Sequence, residues 1–361
     1  MAILAALSAA GIGLAQSSSG AEDHEPPASV QDIEKAVAFA TAKSLASPTW
    51  RNAVVQSVVT GQQVDLEATA AQFGQSTLAS NLDGANNEAL ALKGLPSSVG
   101  SLLVMRLADP AMATALKAGT LPLVAVPADD DSGTSSVVSY DTTGREVKLP
   151  RYTRPTQPVI MIDVDVAKAM AAGADLMNKT LVEGGHGTAA ATDIGTADAI
   201  PTTKITEIRL NNDHDPWFKG NSEIYTIVGG VGKDNKAKAT IVKMPYLNDE
   251  KHTYKPNQIL IWWNNYKYNA VDAVMMEDDG DTNYLALAQE INKGLAGVTD
   301  KWTEYAPLVD NIMKAIPNKW WTDDPDHVEQ WYTLQKNTTG QQNGASGNGW
   351  MKVVPFLVDE L

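Results

Sequence analysis

Three loops in the C-terminal half of the chain carry acidic side chains at close spacing. They span residues 211–217, 277–283 and 323–326, and neighbouring carboxylates within them lie one or two residues apart. Calcium takes about six to eight oxygen ligands, and crowded carboxylates are costly unless a cation compensates their charge. Since no single loop fills such a shell, the pattern predicts one calcium site where two or three loops converge. The predicted ligands are Asp213, Asp215, Glu223, Asp278, Asp279, Asp281, Asp323, Asp324 and Asp326.

The second loop partly matches the helix–loop–helix calcium motif, but the match fails at its centre. Asp279, Asp281, Asn283 and Glu290 stand at positions 1, 3, 5 and 12, whereas Tyr284 occupies the position that requires glycine. An Asp-rich loop of another type is therefore favoured. The alternative is that these acids only form turns, because Asp and Asn cap helices and tolerate left-handed backbone.

Other metal and catalytic motifs fail on residue type or spacing. His214 and His327 lack a third nitrogen ligand for zinc, and the chain has no cysteine. Residues 229–233 do not match a phosphate-binding loop, and residues 344–348 end in Asn where the nucleophile elbow needs glycine. A carboxylate pair for glycoside hydrolysis remains an open alternative, because acids are plentiful.

Aromatic side chains are concentrated in the same part of the chain, where eight of the nine tryptophans follow residue 216. One interpretation is a platform for a carbohydrate or another surface ligand. The commoner role of such residues is to anchor a core, because they bury a large apolar area. These residues are Trp217, Trp262, Trp263, Tyr266, Tyr268, Trp302, Trp320, Trp321, Trp331 and Tyr332.

The elements that must position the acidic loops are strands. Seven short apolar runs separated by turn residues predict an antiparallel β-sandwich over residues 204–361. Helical insertions are predicted at Tyr284–Lys293 and Thr303–Ala315. The predicted strands are Lys204–Leu210, Glu223–Val231, Ala237–Met244, Gln258–Trp263, Ala270–Glu277, Val328–Leu334 and Trp350–Val358.

The rest of the chain reads as three further segments, so the predicted fold class is α+β, mainly β. Residues 22–100 are interpreted as a linker followed by a helical segment. Residues 101–184 alternate strand-like and helical runs, which predicts a small mixed α/β module. Residues 185–203, rich in Gly, Ala, Thr and Asp, are interpreted as a linker.

The composition and the first residues of the chain indicate where in or outside the cell the protein is located. A formal charge of −15, from 28 basic and 43 acidic residues, disfavours nucleic acid and anionic membrane surfaces as partners. Residues 1–21 resemble a signal peptide, with an apolar run from Ile3 to Leu14 that is too short for a transmembrane segment and cleavage expected near Ala15 or Ala21. We therefore expect a periplasmic or extracellular protein that, without cysteine, is not a lipoprotein.

Several segments together resemble a family of exported bacterial proteins, domain of unknown function 3103. This resemblance implies secretion and supplies no catalytic residues. The paired-Asp loops are also similar to those of C2-type calcium sandwiches, an analogy of architecture only. The segments are Arg106-Leu107-Ala108-Asp109-Pro110, Asn212-Asp213-His214-Asp215-Pro216-Trp217 with Gly220 and Glu223-Ile224-Tyr225, Met276-Glu277-Asp278-Asp279-Gly280-Asp281, and Asp323–Asp326 with Tyr332-Thr333-Leu334.

Two hypotheses for function follow from these features. The first is an exported, non-catalytic protein that calcium stabilises and that binds a surface ligand. The second is a secreted hydrolase acting on glycan, peptidoglycan or ester bonds with an acidic, Trp-rich site.

Overall fold

The structure of the chain is a computed structural model. It describes residues 29–60, 62–128, 136–151, 153–188, 199–211, 223–278, 280, 282–296 and 327–359. These residues contain seven α-helices and fourteen β-strands, so the predicted α+β class is confirmed. The described residues form two compact units that divide after Ala169. The predicted domain boundaries remain predictions, and both the predicted signal peptide and the predicted helix Thr303–Ala315 lie outside the described residues.

The first unit begins with four helices. Ser29 caps α1 by accepting a hydrogen bond from the Asp32 N–H, at an N···O distance of 3.2 Å. Pro48 starts α2, where a missing N–H costs nothing, and Asp65 caps α3 through the Ala68 N–H. The helices are α1 (Val30–Ser44), α2 (Pro48–Val58), α3 (Leu66–Gln72) and α4 (Ser76–Leu92).

A six-stranded sheet completes the first unit, in the order β1-β2-β6-β3-β4-β5. Only the pairing of β3 with β6 is parallel among the pairs in this sheet that the structure describes. Helix α1 packs against β3, β4 and β6. The elements are β1 (Val64–Asp65), β2 (Leu103–Leu107), α5 (Ala113–Lys117), β3 (Leu123–Ala125), β4 (Ser136–Tyr140), β5 (Glu146–Pro150) and β6 (Val159–Val164).

The second unit is built on a sandwich of two four-stranded antiparallel sheets, ordered β10-β7-β14-β13 and β12-β11-β8-β9. Apolar side chains from both sheets form one core, including Ile205 and Ile208 from the first sheet and Val271, Met275 and Trp331 from the second. The predicted sandwich is therefore confirmed. The strands are β7 (Ile200–Leu210), β8 (Ile224–Val231), β9 (Ala237–Lys243), β10 (Gln258–Trp262), β11 (Ala270–Glu277), β12 (His327–Gln335), β13 (Gly340–Asn343) and β14 (Gly349–Val358).

Two helices, α6 (Val166–Glu183) and α7 (Tyr284–Ala296), accompany the second sheet. Asn178 of α6 makes two hydrogen bonds to Ile241 of the edge strand β9, accepting from its N–H at 2.9 Å and donating to its carbonyl at 3.1 Å. The Asn178 amide thus occupies backbone groups that an edge strand would otherwise offer to another chain.

Replacing Asn178 with alanine is expected to lower the free energy of unfolding by about 1–3 kcal/mol, because both backbone groups of Ile241 lose their partner. Urea denaturation of the variant measures the loss. Lys179→Ala, which changes the exposed neighbouring side chain on α6, is the control and should leave the midpoint almost unchanged. Equal midpoints for the two variants would contradict the edge-covering role.

Candidate functional site

The three acidic loops adjoin strand ends that lie side by side. Strands β12, β11 and β8 are neighbours in one sheet. The last residue of β11, Glu277, pairs with Ile224 at the start of β8, and Met276 pairs with His327 at the start of β12. The start of β8, the end of β11 and the start of β12 therefore lie at the same end of the sheet, and in the sequence each of these strand ends is next to one of the acidic segments. We call this end, marked by Ile224, Glu277 and His327, the acidic end.

Two of the predicted calcium ligands lie within the described residues, and they are adjacent. The N–H of Asp278 donates to the carbonyl of Glu223 at 3.1 Å. Among the residues that the structure describes, no group of three or more His, Asp or Glu side chains is arranged to hold a metal. Calcium binding therefore stays a prediction. The other predicted ligands lie outside the described residues: Asp213, Asp215, Asp279, Asp281, Asp323, Asp324 and Asp326.

Asp278 also fixes the start of the second loop. Its side chain is buried, accepts from the Gly280 N–H at 3.0 Å, and accepts from the hydroxyl of Tyr284 at the start of α7. Gly280 has φ of +93°, a conformation that favours glycine. The role of a turn-forming acid thus has direct support at Asp278. Each carboxylate oxygen can accept more than one bond, so this role and metal ligation are compatible.

Buried polar side chains are concentrated at the acidic end. Glu277 and Asp278 are consecutive buried carboxylates. Burial, and then the charge of Asp278, raises the pKa of Tyr284 well above its usual value, so this hydroxyl remains a neutral donor. Burial also lowers the pKa of His327, which keeps its imidazole neutral around pH 7.

The loop of residues 344–349 is closed around a buried carboxylate. Glu329 of β12 is completely buried and accepts from four donors: the N–H groups of Gln330, Ser346 and Gly349 at 2.8–2.9 Å, and the Ser346 hydroxyl at 2.6 Å. A Cβ at Gly344 would collide with the Glu329 carboxyl group. The serine that stands nearest to a nucleophile motif therefore closes a loop by bonding to a carboxylate.

Three of the six described tryptophans and tyrosines named above belong to the core, while Trp262 and Tyr268 are partly exposed. Trp263, Tyr266 and Trp331 are buried, and the Trp263 indole donates to the Thr203 hydroxyl at 2.9 Å. Tyr332 has 53% of its surface exposed. Trp217, Trp302, Trp320 and Trp321 lie outside the described residues.

An open cleft of about 660 Å³ lies in the connection between β9 and β10. This cleft was not predicted from the sequence, because tyrosine and proline in a connecting segment read as ordinary loop residues. The signal that was available is the repeated Pro–Tyr and Tyr–Lys–Pro pattern at residues 245–246 and 254–256. The lining residues are Lys243, Pro245, Tyr246, Tyr254, Lys255, Pro256 and Gln258.

No helix among the described residues has both the length and the apolar character needed to cross a bilayer.

Neither a curated protein sequence nor a solved structure matches the chain. A family model described as "Protein of unknown function (DUF3103)" matches residues 35–360, which include nearly all of both compact units. The resemblance found in the sequence is thereby confirmed at the level of the family, and the chain belongs to this family.

Proposed function

We propose that the protein is exported and that calcium bound at the acidic end stabilises its β-sandwich. What supports the proposal is the register of β8, β11 and β12, which sets Ile224, Glu277 and His327 side by side, together with the acidic segments that adjoin these strand ends in the sequence. A cation held between these loops would link three strand ends that are far apart in sequence.

The chemistry of the available side chains favours calcium over softer metals. The chain has no cysteine, and the loops offer mainly carboxylate and amide oxygens. Such oxygens suit a hard cation, and irregular loops suit the flexible coordination of calcium better than the strict octahedron of magnesium. The ion acts as a structural clamp in this proposal and takes no part in a reaction.

Calcium should raise the stability of the protein by mass action. At free calcium about 100 times the dissociation constant, the free energy of unfolding should rise by about 2.7 kcal/mol. Titration calorimetry gives the dissociation constant, and chemical denaturation with calcium or with chelator gives the stability difference.

Replacing acidic side chains with neutral amides tests whether calcium binds at the acidic end. The double variant Asp279→Asn, Asp281→Asn should weaken calcium binding at least tenfold. Asp359→Asn is the matched control, because Asp359 is exposed and follows the C-terminal end of β14. The other end of β14, at Gly349, is the one that pairs with Leu210 just before the first acidic loop. Absence of calcium binding in the unaltered protein, or equal weakening by the control, would contradict the proposal.

The secreted hydrolase alternative has less support among the described residues. Its most nucleophile-like serine, Ser346, bonds to the Glu329 carboxylate, an arrangement that closes a loop. No specific observation in this part of the chain favours hydrolysis over binding.

A further inference from the structure

The cleft between β9 and β10 presents carbon-rich surfaces held in fixed positions. The rings of Tyr246 and Tyr254 lie 6.0 Å apart between centroids, at an interplanar angle of 50°. Pro245 and Pro256 add two further rigid rings to the lining. Aromatic and proline rings have little conformational freedom to lose, so such a cleft is pre-organised for a ligand with an apolar face.

The hydroxyl and amide groups of the lining are engaged inside the protein. The Tyr246 hydroxyl donates to the Gln258 amide oxygen at 2.5 Å, and the Gln258 amide nitrogen donates to the Lys243 carbonyl at 2.7 Å. The Tyr254 hydroxyl donates to the Asp249 carboxylate at 2.9 Å and accepts from the Asp249 N–H at 2.8 Å. The tyrosines thus offer ring faces to a ligand, while their hydroxyls hold the loop.

The remaining polar side chains of the cleft are two lysines. Lys255 is exposed and forms no hydrogen bond or close ion pair with the residues that the structure describes, although its charge is among the causes that lower the pKa of the Glu207 carboxyl group. The Lys243 ammonium group donates to the Asp175 carboxylate at 3.0 Å and to the Ala171 carbonyl at 3.5 Å, which leaves one of its three N–H donors. The cleft therefore combines apolar rings with positive charge.

We propose that this cleft binds a small organic anion that carries a flat apolar ring, of the aromatic carboxylate class. The ring would lie against the Tyr246, Tyr254 and proline surfaces, and the carboxylate would pair with the ammonium group of Lys255. A neutral sugar fits less well, because its hydroxyls need directional polar partners. A proline-rich peptide could use the same ring faces, but its proline residues carry no carboxylate to pair with Lys255, so it fits less well. The proposal rests on no predicted calcium ligand and is independent of the proposed function.

Titration of the full chain with matched probes tests the proposal. 2-Naphthoate should bind in the micromolar to low-millimolar range, as judged by calorimetry. Its neutral counterpart 2-naphthamide should bind about fivefold more weakly, the factor that a partly exposed ion pair provides, and acetate should not bind measurably.

Two lysine substitutions test whether naphthoate binds in this cleft. Lys255→Ala should weaken naphthoate binding about fivefold and leave naphthamide binding unchanged. Lys336→Ala, an exposed lysine just beyond the far end of β12, is the matched control and should have no effect. The proposal is overturned if naphthoate does not bind, if naphthamide binds equally well, or if Lys255→Ala has no effect. It is also overturned if maltotriose or a proline-rich peptide binds more tightly than naphthoate.

Discussion

Replacing Glu329 with alanine should lower the free energy of unfolding by about 3–5 kcal/mol, a large effect for a single substitution. The carboxylate is completely buried and accepts from three backbone N–H groups and the Ser346 hydroxyl. Alanine would leave the buried Gly349 N–H without a partner and would remove the acceptor of the less buried Gln330 and Ser346 donors; a buried donor costs about 1–3 kcal/mol when unsatisfied, and the cavity left by the glutamate adds to this. The effects are not additive, because the loop of residues 344–349 would shift and admit water.

Denaturant unfolding of the Glu329→Ala protein measures this loss. Glu329→Gln should lie between the variant and the unaltered protein, because an amide supplies one acceptor oxygen and one unwanted donor group. Glu290→Ala, on the exposed face of α7, is the control and should change stability by less than about 0.5 kcal/mol. A loss below about 1 kcal/mol for Glu329→Ala would show that the buried carboxylate does not hold the loop.

A second large effect should appear as a pH dependence of stability caused by Asp272. This β11 carboxylate is buried and accepts from the Thr333 N–H at 2.7 Å, and burial raises its pKa from 3.8 to about 6. Thr333 has φ of +55°, an unusual conformation for a β-branched residue, next to a register shift in the pairing of β11 with β12. The carboxylate thus supports an irregular point in the sheet at an electrostatic cost.

The direction in which stability changes with pH follows from whether the folded or the unfolded state binds the Asp272 proton more tightly. Well below about pH 4 Asp272 is protonated in both the folded and unfolded states, so its burial carries no charge penalty. Between about pH 4 and 6 the unfolded chain loses the proton first, and stability falls as pH rises. Above about pH 6 the full cost applies, on the order of 3 kcal/mol for a pKa raised from 3.8 to about 6.

Comparison with Asp272→Asn isolates this effect, because other titrating groups are common to both proteins. The stability of the variant relative to the unaltered protein should rise by about 2 kcal/mol between pH 4.5 and pH 8, since part of the cost is already present at the lower pH. The amide adds a constant offset from its second N–H group, and this offset does not depend on pH. A pH profile for Asp272→Asn that runs parallel to that of the unaltered protein would contradict the raised pKa.

The strands of the sandwich were predictable because their signal is local. Alternating or continuous apolar residues marked seven of the eight strands, and β8 and β11 read as continuous runs because all their residues are buried. Strand β13, Gly-Gln-Gln-Asn, was missed because it is polar and largely exposed, and only its pairing with β14 makes it a strand. Helix α4 lies within the helical segment predicted for residues 22–100, but glycine and several asparagines weaken its local signal, so burial of one face stabilises it.

The candidate site was predictable only in part. Acidic loops between strands are visible in a sequence, and sheet register then brings their ends together. The role of Glu329 was not visible, because one glutamate in a strand reads as a solvent-facing residue. The cleft was missed for a similar reason, since its lining depends on how one loop folds back against β7 through the Ile208–Tyr254 bridge.

Anomalous X-ray scattering from crystals of the full chain grown with calcium would locate the ion on which the proposed function depends. We predict one strong peak at the acidic end, with oxygens from at least two of the three loops at about 2.3–2.6 Å. The peak should disappear in the Asp279→Asn, Asp281→Asn protein. A peak elsewhere, a peak with ligands from a single loop, or none at all would contradict a calcium clamp between the strands.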